Sequence, residues 1–257
     1  MRARPATLIT AAPIARCALI VALSFAGCSV ALCGPIHDAA RKGDEAKVVA
    51  LLSQSPDLVS SRDKMGNTPL HIAALHDQTA IAALLIANGA DVNAQNDPLG
   101  SEVKAASYFN KKLNGDTNQR AYGETPLTLA LLSYHHKEMI ELLLTHGADP
   151  NVFVHIGVTP LQRAMERGLP YDVELLLANG ADPEAINVSG YTAAGWAVMH
   201  NQTRILELLL DAGADPNAKI WGKTLMYYAE DALRSSSGGA SANEKAIAIL
   251  RAHGGHL

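Results

Sequence analysis

Apolar positions in this chain fall in short helical stripes that restart at regular intervals. Ile140, Leu142, Leu143 and Leu144 form one stripe, and Leu206, Leu208, Leu209 and Leu210 another. Gly147-Ala148-Asp149 follows the first and Gly213-Ala214-Asp215 the second. Glycine after an apolar run is a helix stop, because a left-handed conformation costs it little. Asp-Pro-Asn or Asp-Val-Asn then opens an extended turn. Ahead of each stripe lies another apolar stretch, best introduced by Thr-Pro-Leu. The threonine offers an acceptor to the free N–H groups of a helix start, and proline has no N–H to orphan in a first turn. The pattern predicts a helix–turn–helix unit closed by glycine.

The unit repeats. Thr125, Thr159, Thr192 and Thr224 are spaced by 34, 33 and 32 residues, and Gly147, Gly180 and Gly213 by 33 and 33. Thr68-Pro69-Leu70-His71-Ile72-Ala73 matches a Thr-Pro-Leu-His-x-Ala signature in full. With two ladders in register, the sequence resembles the ankyrin-repeat family over nearly everything after residue 33. The resemblance implies an all-α solenoid of about six helix–turn–helix units with hairpin loops, spanning residues 34–257. The first unit is truncated, with Gly34 to Ala40 in the signature place, a second helix over Ala46 to Leu52, and Asp57-Leu58-Val59 replacing Gly-Ala-Asp. The last begins near Thr224 and closes with Ala246 to Leu250 and Gly254. Such departures are expected of terminal repeats, which face water on one side. Two insertions interrupt the array. Residues 97–122 are polar and are expected to form an extended loop on the hairpin edge. Residues 234–241 are Ser/Gly-rich and are expected to be a flexible joint between the last two helices.

Composition narrows the function. Hydrophobic residues make up 48% of the 257 and charged residues 18%, enough apolar material for a packed core. Aromatics are 5%, so that core is built from Ala and Leu, which suits closely packed helices. A net charge of -4 leaves no basic footprint for nucleic acid. All three cysteines, Cys17, Cys28 and Cys33, precede residue 34, so the repeats hold no disulfide framework, cysteine metal site or cysteine nucleophile.

Residues 1–33 read as an address. Arg2, Arg4 and Arg16 precede an uncharged run from Cys17 to Ile36, the layout of a secretory signal. Phe25-Ala26-Gly27-Cys28 resembles a bacterial lipobox with Phe25 in its usual leucine position, which makes Cys28 the candidate for lipidation. Ser29-Val30-Ala31 offers an ordinary cleavage site instead, and the run is also long enough to remain as an anchor. All three readings place the repeats outside the cytosol, in the periplasm or cell envelope.

The resemblance implies that function lies on the concave face, formed by the first helices and the hairpin tips. The residue before each signature glycine is a tip: Met65, Tyr122, Ile156, Ser189 and Trp221. Four of these are large and apolar, and exposed bulk there points to a partner, with packing between neighbouring tips as the alternative. Leu75, His76, Tyr134, Glu166, Arg167, Met199 and His200 fall near the same groove. Trp196 occupies an inward position and reads as core. His71 is structural in the family, bonding within and between hairpins, so it is not read as catalytic. His135 and His136 point in different directions on a helix, and the other histidines show no ligand spacing, so no metal or cofactor is expected. No nucleophile triad, phosphate loop or dinucleotide-binding glycine pattern appears in a suitable context.

The expectation is a monomeric protein-interaction module rather than an enzyme, with the 97–122 insertion as the favoured source of partner specificity. Exported bacterial proteins that this chain resembles support or protect another envelope protein, or neutralise a toxin as immunity proteins. A secreted effector aimed at a host protein is a further alternative. An enzyme with a site on the insertion, using Asp97, Glu102, Lys104, Asp116 and Arg120, is the remaining one.

Overall fold

A computed structural model describes residues 34–97, 123–132, 136–154, 158–187, 190–235 and 240–257. Residues 1–33, with Cys28, and residues 98–122 of the insertion lie outside the described residues.

Six helix pairs follow one another among the described residues. They are α1 (Pro35–Lys42) with α2 (Glu45–Gln54), α3 (Pro69–Leu75) with α4 (Thr79–Ala87), and α5 (Pro126–Ala130) with α6 (Lys137–Thr145). Then come α7 (Pro160–Glu166) with α8 (Pro170–Ala178), α9 (Ala193–Met199) with α10 (Thr203–Asp211), and α11 (Leu225–Ser235) with α12 (Ala240–Ala252). A 3₁₀ turn, Pro56–Ser60, stands where the first unit lacks Gly-Ala-Asp. The expected start and stop chemistry operates. Thr125, Thr159 and Thr192 accept at their side chains from Thr128, Gln162 and Gly195 N–H groups, each ahead of a first helix. The glycines after α4, α6, α8 and α10 all take positive φ, between 86° and 99°. The 234–241 stretch is narrower as a joint than expected, since Arg234 and Ser235 close α11 and Ala240 and Ser241 open α12. Arg234 pairs with Glu230 one turn earlier, which favours continuing the helix.

The first helices pack neighbour on neighbour in one row, from α1 through α3, α5, α7 and α9 to α11. The second helices form a parallel row, from α2 to α12. One apolar cluster lies between the rows and runs from Ile36 to Leu250. Leu70, Leu85, Leu127, Leu143, Leu161, Leu176 and Leu209 are fully buried within it. Each contributes about 2 kcal/mol of transfer free energy. Buried alanines such as Ala73, Ala130, Ala164 and Ala197 let first helices approach closely.

Polar stitching links unit to unit. Asn93 and Asn151 donate to the Gly147 and Gly180 carbonyls of the next unit and accept from the Asp149 and Asp182 N–H groups. On the first-helix side, His37 bonds the Asn67 carbonyl at 2.9 Å and His71 bonds the Glu124 carbonyl at 3.0 Å. The insertion leaves and re-enters beside itself. Asn96 N–H donates to the Glu124 carbonyl at 3.0 Å, and Glu124 N–H donates to Asn96 Oδ1 at 2.7 Å. That closed stem lets α3 pack on α5 as though nothing had been inserted between them.

Candidate functional site

The hairpin between α10 and α11 closes tightly. Strands β1 (Lys219–Ile220) and β2 (Lys223–Thr224) pair with Ile220 opposite Lys223, which leaves Trp221-Gly222 as a two-residue turn. Both residues have positive φ, 48° at Trp221 and 80° at Gly222. This is the primed geometry that Asn-Gly or Gly-Gly makes without strain. A tryptophan there costs about 1–2 kcal/mol of local strain. Among the described residues, the other non-glycine residues with positive φ are Asp77 and Asn201, types that tolerate it. In this turn the indole lies 66% exposed.

A strip of rings continues inward from that tip. Trp221 meets Tyr191 with ring centroids 5.0 Å apart, and Tyr191 meets Trp196 edge-on at 6.3 Å. Trp196 stacks on His200, one helical turn later, at 3.9 Å. Met199 beside it is 45% exposed. Hairpin tip and first-helix end are thus bridged across two units by side chains rather than by backbone.

Next to the strip lies a narrow cleft between α7 and α9, with room for about one water molecule, lined by Gln162, Met165, Glu166, Tyr191, Ala193 and Trp196 among others. Glu166 is exposed as a residue, yet its carboxyl is crowded. Desolvation pushes its pKa above the usual carboxylate range, against the pull of Arg163 and of His200 when protonated.

The remaining expected residues are more scattered. Met65 is half-buried: its N–H bonds Asp63 Oδ1 at 2.8 Å, and its carbonyl accepts from Asp97 N–H at 2.8 Å. Leu75 is half-buried at the end of α3, and His76 follows it, exposed. Desolvation lowers the pKa of His76, and the charges of Arg41 and His136 act the same way. Arg167 is half-buried and donates to the Leu132 carbonyl of the preceding unit. Tyr122, Tyr134, Ile156 and Ser189 lie outside the described residues. The structure therefore brings Glu166, Met199, His200 and Trp221 together and leaves Met65, Leu75 and His76 further along the first-helix row.

Three members of the cluster were not among the expected contact residues: Gln162, Tyr191 and Trp196. Trp196 is half-buried, between the core role expected of it and full exposure. The usable signal was compositional. Both tryptophans and three of the seven tyrosines fall between residues 191 and 228 of an otherwise aromatic-poor chain.

His71 meets its structural expectation. Its Nδ1 accepts from Thr68 N–H at 3.1 Å, so the proton sits on Nε2, which donates to Glu124. Burial lowers its pKa to about 4 and keeps the ring neutral. Among the described residues no group of three or more His, Cys, Asp or Glu side chains is placed to hold a metal ion. No helix among them is long and apolar enough to cross a membrane.

Known proteins share this architecture. The sequence pattern described as "Ankyrin repeats (3 copies)" matches residues 8–96 and 155–220, and the single "Ankyrin repeat" pattern matches residues 122–153. The putative ankyrin repeat protein YahD of Escherichia coli K12 is 30% identical, over 51% of this chain and 88% of that protein. The serine/threonine-protein kinase VIK of Arabidopsis thaliana is 46% identical over 33% of this chain, a match that spans only 20% of the kinase. The mitochondrial disaggregase of Bos taurus is 32% identical over 51% of this chain and 21% of its own length. A crystal structure of an ankyrin repeat domain from Acinetobacter baumannii AYE superposes with a TM-score of 0.67 at 28% identity, covering 86% of this chain and 98% of that one. Ankyrin repeats are typically non-catalytic modules that bind other proteins, and this chain belongs to the ankyrin-repeat family.

Proposed function

We propose that the protein is an interaction module of the bacterial cell envelope that grips a partner protein with the strip from Trp221 to His200. One observation carries this reading: the chain spends local strain to present an indole to solvent at the tip of a tight turn. Burial within its own unit gives that ring nothing, whereas a tryptophan entering a partner's pocket is the commonest kind of binding hot spot. The preformed row of helices lowers the ordering cost of association. Residues 1–33 support export, through three arginines ahead of an uncharged run, and a lipid on Cys28 would tether the module to a membrane face. In that compartment the module supports or protects another envelope protein, or neutralises a toxin. The 97–122 insertion, whose stem closes beside the first-helix row, adds partner specificity.

Site-specific photo-crosslinking in cells tests this. A photoreactive side chain at position 199 or 221 should capture one and the same protein, recovered in the envelope fraction. The same probe at position 171 or 49, on the second helices, should capture none. Capture confined to the second helices, or a crosslinked product confined to the cytosol, would reject the reading.

A further inference from the structure

The hairpin that displays Trp221 also displays charge of one sign. Lys219 and Lys223 stand on either side of the Trp221-Gly222 turn, and both are exposed. They are the charged residues between Asp215 and Glu230, and between Glu184 and Arg204 there is no Asp, Glu, Lys or Arg. Those two stretches build the last two hairpins, the whole of α9 and the start of α11. In a chain of net charge -4, the tip end of the strip is therefore locally positive. Glu166 lies at the other end of the strip, in the cleft beside Trp196.

A second arrangement shows what complements this end. On the second-helix row Lys137 Nζ lies 4.3 Å from the Tyr171 ring centre and 3.9 Å from a Glu141 carboxylate oxygen. At the tip Lys223 Nζ lies 4.5 Å from the Tyr227 ring centre. Ring and cation are the same, but among the described residues neither Lys223 nor Lys219 forms a salt bridge. An ammonium over a ring keeps donors for a further acceptor, and a carboxylate completes the set.

Apolar surface adjoins the two cations. Lys219 is paired with Thr224, and one unit earlier Ile186 is paired with Thr192 at the corresponding place, 57% exposed. Two lysines are too few for a membrane surface, which takes clusters of about four to eight, or for a nucleic acid, where about six to ten phosphate contacts are typical. They suit one or two carboxylates on a segment that also carries an apolar side chain.

We propose that the Trp221 hairpin reads an acidic segment of the partner protein, in which Asp or Glu carboxylates meet Lys219 and Lys223 while an adjoining apolar side chain packs on Trp221. The inference rests on the interface reading above and names the chemistry of the partner segment. Exposed charges of this kind chiefly raise the association rate and select the partner.

The test is an NMR titration of the isotopically labelled, purified full chain. The probes are blocked, glycine-flanked Glu-Leu-Glu, Gln-Leu-Gln and Lys-Leu-Lys peptides. The Glu peptide should shift the Trp221 indole N–H and the Lys219 and Lys223 amides in a saturable, salt-sensitive way. The Gln peptide should bind about fivefold more weakly, and the Lys peptide should leave these signals in place. Combining Lys219→Gln with Lys223→Gln should weaken the Glu peptide about fivefold while the rest of the spectrum stays native. Combining Lys219→Glu with Lys223→Glu should transfer the preference to the Lys peptide. Equal responses to the Glu and Gln peptides, or an unchanged Glu response in the double Gln variant, would overturn the inference. Salt-sensitive sedimentation with phosphatidylglycerol vesicles that the double Gln variant loses would assign the lysines to a membrane and overturn it too. A loss of whole-partner affinity in Trp221→Asn but not in the double Gln variant would overturn it while leaving the interface reading intact. Charge-selective peptide binding at the tip with full partner affinity in Trp221→Asn would overturn the interface reading instead.

Discussion

The guanidinium of Arg163 lies 2.8 Å from the carboxylate of Glu124, and the Glu124 side chain is only 2% exposed. The pair joins the third and fourth units. The Glu124 backbone meanwhile receives His71 and Asn96 from the second unit, so one residue ties three consecutive units together. Breaking a buried pair from one side leaves the other charge stranded, which costs more than the pair contributes when intact. Glu124→Ala and Arg163→Met should therefore each lower stability by about 3 kcal/mol in urea unfolding, and the double variant should recover part of the loss. Single variants within about 0.5 kcal/mol of wild type would show that the pair carries no such linkage.

His71 gives the fold a pH dependence of defined sign. In the folded state the ring stays neutral down to about pH 4, whereas in the unfolded chain it titrates at 6.5. Between those values the unfolded state binds more protons, so stability falls as the pH is lowered from 6.5 toward 4. Above 6.5 the group is neutral in both states and contributes no slope. The loss by pH 4 is about 3 kcal/mol. The fourth unit already uses a glutamine at the equivalent place, where Gln162 accepts from Thr159 N–H. His71→Gln should keep the cap, remain folded at pH 7, and show a flatter stability profile between pH 6.5 and 4. An equally steep profile in that variant would assign the slope to other groups.

Trp221→Asn should stabilise the protein. Relief of the left-handed tryptophan gives about 1–2 kcal/mol, and loss of the contact with Tyr191 takes back about 0.5–1.5 kcal/mol. The net change lies between about -0.5 and +1.5 kcal/mol, centred on a gain of about 0.5 kcal/mol, read as a slightly higher thermal midpoint. A clear loss of stability would mean that the ring is a packing element and not a displayed one.

Two glycines should fail for different reasons. A Cβ on Gly123 would stand 1.6 Å from the Asn96 carbonyl oxygen, so Gly123→Ala must open the stem of the insertion. A Cβ on Gly89 meets nothing within 4 Å, but its φ is +87°. Thermal unfolding should show Gly123→Ala losing more than about 2 kcal/mol and Gly89→Ala about 1 kcal/mol. The reverse order would contradict the stem.

The helix pairs were legible because their signals are local. Thr125, Thr159 and Thr192 mark starts, and Gly147, Gly180 and Gly213 mark stops, each through bonds within a few residues of itself. His71 was legible for the same reason on one side, since its partner Thr68 is three residues away. The aromatic strip was only partly legible. Trp221, Met199 and His200 follow from their places in the unit, but Tyr191 touches Trp221 across 30 residues and a change of unit. No periodicity reveals which rings meet across a repeat boundary, or that a tryptophan rather than an asparagine occupies a left-handed turn position. At Met65 the tip position alone did not reveal that Asp63 and Asp97 would tie its backbone down.

The most direct test is calorimetric titration of the purified partner against wild type and three variants. Trp221→Asn and Met199→Ser alter the strip, and Tyr171→Ser alters an exposed aromatic on the second-helix row. Each strip variant should weaken binding by at least about tenfold, with Trp221→Asn the more severe at about 30-fold, while Tyr171→Ser leaves affinity unchanged. Full affinity in both strip variants, with loss in Tyr171→Ser, would place recognition on the opposite side and contradict the account.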